Sequence, residues 1–190
     1  MMRRLTSKKV EAKKVKRNQI VLGIFLIFIM MFSVLGYGFG NQDQNGSSEK
    51  INYNGYEFIS QDGFWMLNFQ DIDFFFKYNP NQIIRTDSTI NLINSYQENP
   101  LYIYSEDLNS EYELNINLNR LVPRIQNACL SEEECQDTDS PIKTCEDHFI
   151  IIKEDTSARI EQDNNCVFIK GNKEDLVKLT DDFLLKILGI

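Results

Sequence analysis

The chain has 190 residues, 42% of them hydrophobic, and a formal net charge of −8 at pH 7. The charge is divided unevenly: residues 1–18 carry eight basic side chains and one acidic one, whereas residues 41–190 carry 12 basic and 27 acidic ones. Proteins that bind nucleic acid through its phosphates need a positive surface. The acidic C-terminal part therefore argues against a nucleic-acid partner.

Residues 19–40 contain no charged side chain. A helix rises about 1.5 Å per residue, so a stretch of about 20 apolar residues spans a hydrocarbon layer of roughly 30 Å. The sequence predicts a transmembrane helix over 19–40 that anchors the protein in the cell membrane by a single pass. The basic residues 1–18 form a cytoplasmic tail, and the C-terminal part is expected outside. A cleaved signal peptide is the alternative, but its apolar region is usually about 7–15 residues long.

Residues 41–50 are polar and contain no apolar side chain, which is typical of a flexible linker. Asn45 begins the Asn-Gly-Ser triplet of an N-glycosylation acceptor site. Residues 51–190 have the length of one domain. The boundaries predicted are therefore 1–18, 19–40, 41–50 and 51–190.

The first part of this domain has the pattern of β-strands. The segments "YEFIS" and "FWMLNF" flank "QDG", which predicts a hairpin with Gly63 in its turn. "DFFFKY" predicts a third strand and "LYIY" another. On a strand, Phe74 and Phe76 face one side of the sheet and Phe75 faces the other. Phe75, and with it Trp65, are candidate contacts for a partner protein, although burial in the core is the alternative for both.

The middle of the domain gives two conflicting patterns. "YELNINL" alternates as a strand does, but Ser110–Glu113 match a helix capping box, and the apolar residues that follow have helical spacing. We expect a helix from about 111 to 128, kinked at Pro123.

The end of the domain is less ambiguous. "FIIIK" predicts a central strand, and "ARIEQ" and "CVFIKG" flank "DNN" as a hairpin. An apolar stripe predicts an amphipathic helix at about 173–188, capped by Asn172. Together these elements predict an α+β domain of antiparallel strands with two main helices.

The four cysteines, Cys129, Cys135, Cys145 and Cys166, all lie in the part expected outside the membrane, where disulfides persist. Four cysteines allow three pairings, and the sequence does not choose among them. We favour Cys129–Cys135 with Cys145–Cys166. Zinc binding by three cysteines and His148 is an alternative, as is a redox role, but no Cys-x-x-Cys spacing is present.

No catalytic constellation stands out. His148 follows Asp147, so a Ser–His–Asp triad is arithmetically available, but no Gly-x-Ser-x-Gly motif exists. Asp71 and Asp73 are expected in a turn, and the acidic segment "EEECQDTD" lacks the glycine and terminal glutamate of a calcium loop. We therefore expect no enzyme activity, no cofactor and no metal.

Three segments together, "YNGYEF…FWMLNF…FFFKYNPNQI", "NACLSEEECQ…PIKTCEDHFIIIKE" and "NNCVFIKGNKEDLVKLTDDFLLKILGI", resemble a set of uncharacterised single-pass membrane proteins from small-genome archaea. The resemblance implies an anchored, exported, cysteine-bearing domain and supplies no activity. The expected function is a protein-interaction or structural module of the cell envelope. The alternatives are a pilin-like subunit with a processed N-terminus and an enzyme of unrecognised type.

Overall fold

The computed structural model describes residues 19–31, 49–132, 135 and 140–190. The chain comprises two compact units, Met1–Ser47 and Ser48–Ile190. In the first, residues 19–31 are helical with mostly exposed side chains. No helix within the described ranges is both long and apolar enough to cross a bilayer. The predicted span continues to residue 40 and so lies partly outside the described residues, as do the basic tail, most of the linker and Asn45.

The second unit begins with a four-stranded antiparallel sheet in chain order: β1 (Lys50–Tyr53), β2 (Tyr56–Gln61), β3 (Phe64–Phe69) and β4 (Ile72–Phe76). Each two-residue connection has positive φ at both positions, in Asn54–Gly55, Asp62–Gly63 and Gln70–Asp71. This is the conformation that matches the twist of paired strands in a tight hairpin. The hairpin predicted around Gly63 is therefore confirmed.

The helix predicted over 111–128 is wrong in its C-terminal half. After β5 (Leu101–Ser105), helix α1 covers Leu108–Leu118, and the chain then forms a short strand, β6 (Ile125–Asn127). Asp107 caps α1, because its side chain accepts the Ser110 N–H. Pro123 disfavours helix in the residues before it, and β6 instead pairs in parallel with β5.

The second sheet is mixed, in the order β6-β5-β7-β9-β8, where β7 is His148–Glu154, β8 is Arg159–Asp163 and β9 is Cys166–Gly171. Only the β8–β9 hairpin is antiparallel, as predicted from "DNN"; the other three pairings are parallel. The expectation of antiparallel strands throughout is thus wrong for this sheet. Parallel neighbours need a crossover connection, which α1 supplies between β5 and β6.

One large core joins both sheets and both helices of this unit, and a smaller cluster around Phe149 and Cys166 lies on the other face of the second sheet. Helix α2 (Leu176–Ile187) follows a 3₁₀ turn at Lys173–Asp175, which confirms the helix predicted over 173–188. Strand β7 is the predicted central strand, with four consecutive fully buried side chains, Phe149 to Ile152. The α+β class is confirmed.

Candidate functional site

All four cysteines are paired in disulfides, Cys129–Cys135 and Cys145–Cys166, with Cα–Cα distances of 5.4 and 4.9 Å. This is the pairing favoured from the sequence. The second disulfide joins the loop before β7 to the start of β9, and its Cys166 is fully buried. With every cysteine sulfur in a disulfide, no thiolate is present in this structure for the zinc alternative.

His148 does not form a catalytic pair with Asp147 in the described structure. The Nε2 of His148 lies 3.3 Å from Asn99 Nδ2, and its ring packs against Tyr96, with ring centroids 5.4 Å apart. Asp147 instead pairs with Lys143 Nζ at 3.3 Å. Burial lowers the pKa of His148. The residue therefore has the environment of a partly buried histidine at the start of a strand.

The other acidic candidates are separated or only partly described. Asp71 lies in the β3–β4 turn, whereas Asp73 lies on β4 and accepts a hydrogen bond from Asn68 Nδ2 at 2.7 Å. Much of the acidic segment "EEECQDTD" lies outside the described residues, at positions 133–134 and 136–139.

The pairing register places the two candidate partner contacts on opposite faces of the first sheet. Trp65 lies opposite Phe76 and packs against the core. Phe75 lies on the other face, in a cross-strand row with Met66 and Ile59. All three side chains of this row are half-buried, and none belongs to the core or packs against it.

The free edge of β4 is covered by polar side chains of the two helices. Asn117 on α1 accepts the Phe75 N–H and donates to the Phe75 carbonyl, both at 2.7 Å. One turn earlier, Glu113 Oε1 accepts the Lys77 N–H at 2.6 Å. These side chains take the place of a neighbouring strand, which satisfies backbone groups that an edge strand leaves unpaired.

Two buried carboxyl groups meet at the end of β4. Asp181 on α2 accepts the Tyr78 N–H at 2.9 Å and also the Lys77 N–H at 3.3 Å, so it shares the latter donor with Glu113. Glu113 is 2% exposed and Asp181 fully buried. Burial first, and then the charge of Asp181 and a hydrogen bond with it, raise the pKa of Glu113; burial also raises the pKa of Asp181.

A cleft of about 280 Å³ opens at Glu113. Glu113 lines it, and the other lining side chains are mostly aromatic or aliphatic: Phe64, Tyr78, Tyr112, Val177, Lys77 and Asn109. Two lysines lie over its aromatic rings, Lys77 Nζ 5.2 Å from the Phe64 centroid and Lys178 Nζ 5.6 Å from that of Tyr78. No motif in the sequence predicted this site. The sequence did contain a signal for it, because polar residues stand among the apolar residues that face the core. These are Glu113 and Asn117 on α1 and Asp181 on α2.

No known family model, characterised protein or solved structure matches the chain.

Proposed function

We propose that residues 51–190 form an extracytoplasmic protein-recognition domain, held at the cell membrane by residues 19–40 with the N-terminus in the cytoplasm. The observation that carries this proposal is the pair of disulfides within one described unit. Disulfides are stable in oxidising compartments and rare in the cytosol. The apolar stretch 19–40 and the basic residues before it agree with this location, because a basic flank stays on the cytoplasmic side and the C-terminal domain then lies outside.

The surface we propose for recognition is the apolar row of Ile59, Met66 and Phe75 on the outer face of the first sheet. When one face of a sheet meets water, the residues along each strand normally alternate, with apolar side chains toward the core and polar side chains toward water. This row instead brings three apolar side chains together, and Phe64, also half-buried, lies on the same face. Contiguous exposed apolar surface is typical of protein-interaction sites. The partner is accordingly a protein of the envelope or of another cell's surface.

Export is tested by adding protease to intact cells. We expect the C-terminal domain to be degraded without lysis, and the cysteine peptides to be recovered as disulfides when the released protein is mapped under non-reducing conditions. Protection in intact cells together with degradation after lysis would show the opposite orientation.

Recognition is tested separately by placing a photo-crosslinking residue at Met66 in living cells. We expect a discrete crosslinked product that disappears when Phe75→Ser is added. The matched control is Leu108→Ser, which alters an apolar side chain that is 80% exposed at the start of α1. Equal loss of the product with both substitutions, or no product at all, would contradict the proposed surface.

A further inference from the structure

The cleft at Glu113 has a buried carboxyl group that is incompletely satisfied. Glu113 Oε1 accepts a backbone N–H, but its Oε2 accepts no hydrogen bond from any donor of the described chain. No lysine, arginine or histidine in the described part of the chain forms an ion pair with Glu113 or Asp181. Burying a carboxylate away from water is costly. At Glu113 this burial and the charge of Asp181 outweigh the opposing charge of Lys77, so the pair retains a proton.

Aromatic rings form part of the walls of the cleft. Aromatic rings attract cations at their faces, and aromatic cages recognise ammonium groups in this way. The protein's own lysines already occupy two such faces, Lys77 over Phe64 and Lys178 over Tyr78. The volume of about 280 Å³ is at the small end for ligand sites and fits one alkyl chain.

We propose that this cleft binds an alkylammonium group, which donates to Glu113 Oε2 and replaces the proton held by the Glu113–Asp181 pair. The exchange balances in charge: one ammonium cation enters and one proton leaves to solvent. The ammonium comes either from a free amine or from a lysine side chain of another protein. This inference concerns the cleft, which adjoins the apolar row at Phe64, and it does not depend on export.

Calorimetry on the purified full chain tests the site. We titrate n-butylammonium, butyrate as the anionic counterpart, and Nα-acetyl-lysine-N-methylamide as the side-chain probe. Measurements in two buffers of different ionisation enthalpy report the proton released. We expect saturable binding of butylammonium with proton release and no binding of butyrate. Tighter binding of the lysine derivative assigns the site to a protein side chain, and tighter binding of butylammonium assigns it to a free amine.

Four substitutions, one of them a control, separate a binding role of this site from a merely structural one. Glu113→Gln should weaken ammonium binding about tenfold and abolish proton release, whereas Glu111→Gln on the same helix should change neither. Lys77→Met removes a competing cation and should strengthen binding several-fold. Phe64→Leu, which leaves the carboxyl pair intact, should weaken binding even if Glu113→Gln does not fold.

The proposal is overturned if neither amine binds, if butyrate binds instead, or if Lys77→Met abolishes binding. Binding of butyrate that Lys77→Met abolishes would identify an anion site built on Lys77.

Discussion

Asp181 and Asp182 are adjacent on α2, yet they bind two separate points, Tyr78 and Thr86, of the segment that connects β4 to β5. Asp181 accepts the Tyr78 N–H at 2.9 Å, and Asp182 Oδ2 accepts the N–H and the hydroxyl of Thr86 at 3.0 and 2.8 Å. Both aspartates are fully buried. The irregular segment after β4 is thus fastened to the C-terminal helix at two points by two neighbouring side chains.

The first prediction concerns Asp182. Replacing it with alanine removes the acceptor of the Thr86 N–H and leaves the Thr86 hydroxyl with Ser88 Oγ as its remaining partner. It also removes the ion pair with Arg85 Nη1 at 3.3 Å. We expect a loss of about 1–3 kcal/mol in the free energy of unfolding, measured by urea denaturation. Asp175→Ala, which removes a half-exposed pair with Lys178, should change stability by less than about 1 kcal/mol. Equal effects of the two substitutions would show that Asp182 does not fasten this segment to α2.

The second prediction concerns the edge of β4. Asn117→Ala removes both hydrogen bonds to the Phe75 backbone and should cost about 1–3 kcal/mol. Amide hydrogen exchange at Phe75 should accelerate more than exchange at Leu67, which lies in the neighbouring strand. Asn115→Ala is the control, because the Asn115 side chain bonds only within its own helix. If the Phe75 amide stayed equally protected from exchange, the Asn117 side chain would not be what protects the edge of β4.

The third prediction is a pH dependence at Glu113. Its pKa in the folded protein is raised by burial from 4.5 to about 11, so the folded state holds a proton that the unfolded chain has released by neutral pH. Such a group stabilises the fold at low pH, and its contribution is lost as pH rises from its unfolded pKa through its folded pKa. Between about pH 7 and 8.5, the wild type should lose up to about 1.4 kcal/mol per pH unit more than Glu113→Gln.

Urea denaturation of both proteins at the two pH values measures this difference. Asp181 contributes with the same sign, since burial raises its pKa to about 6, but its titration is largely complete below this range. Parallel pH profiles for wild type and Glu113→Gln would show that Glu113 is already ionised in the folded protein.

The fourth prediction ranks the two disulfides. Cys145–Cys166 closes a longer loop than Cys129–Cys135, with sequence separations of 21 and 6. The chain-entropy relation gives about 3 kcal/mol for the longer loop and about 2 kcal/mol for the shorter one. The double substitution of Cys145 and Cys166 by alanine should therefore lower the melting temperature more than that of Cys129 and Cys135. The reverse order would indicate that the acidic loop contributes more to the fold than its closure entropy.

Local patterns in the sequence predicted the elements whose partners lie nearby in the chain. The β2–β3 and β8–β9 hairpins followed from turn residues between apolar strands, and α2 followed from its apolar stripe. Helix α1 was predicted too long, because Val122 and Ile125 have helical spacing although they reach the core through a turn and a strand. The apolar pattern identified which residues are buried there, but it did not identify the secondary structure of their backbone.

The sequence by itself determined the α+β class and the buried strand β7, because each depends on composition or on periodicity within single segments. It left three cysteine pairings open, and the tertiary structure decided among them by bringing Cys145 beside Cys166 and Cys129 beside Cys135. Tertiary structure decided the parallel pairing of β6, β5, β7 and β9, since register between distant strands depends on how their connections cross. It also decided the Glu113–Asp181 pair. Two carboxyl groups on separate helices share a buried donor only once both helices have packed against the end of β4.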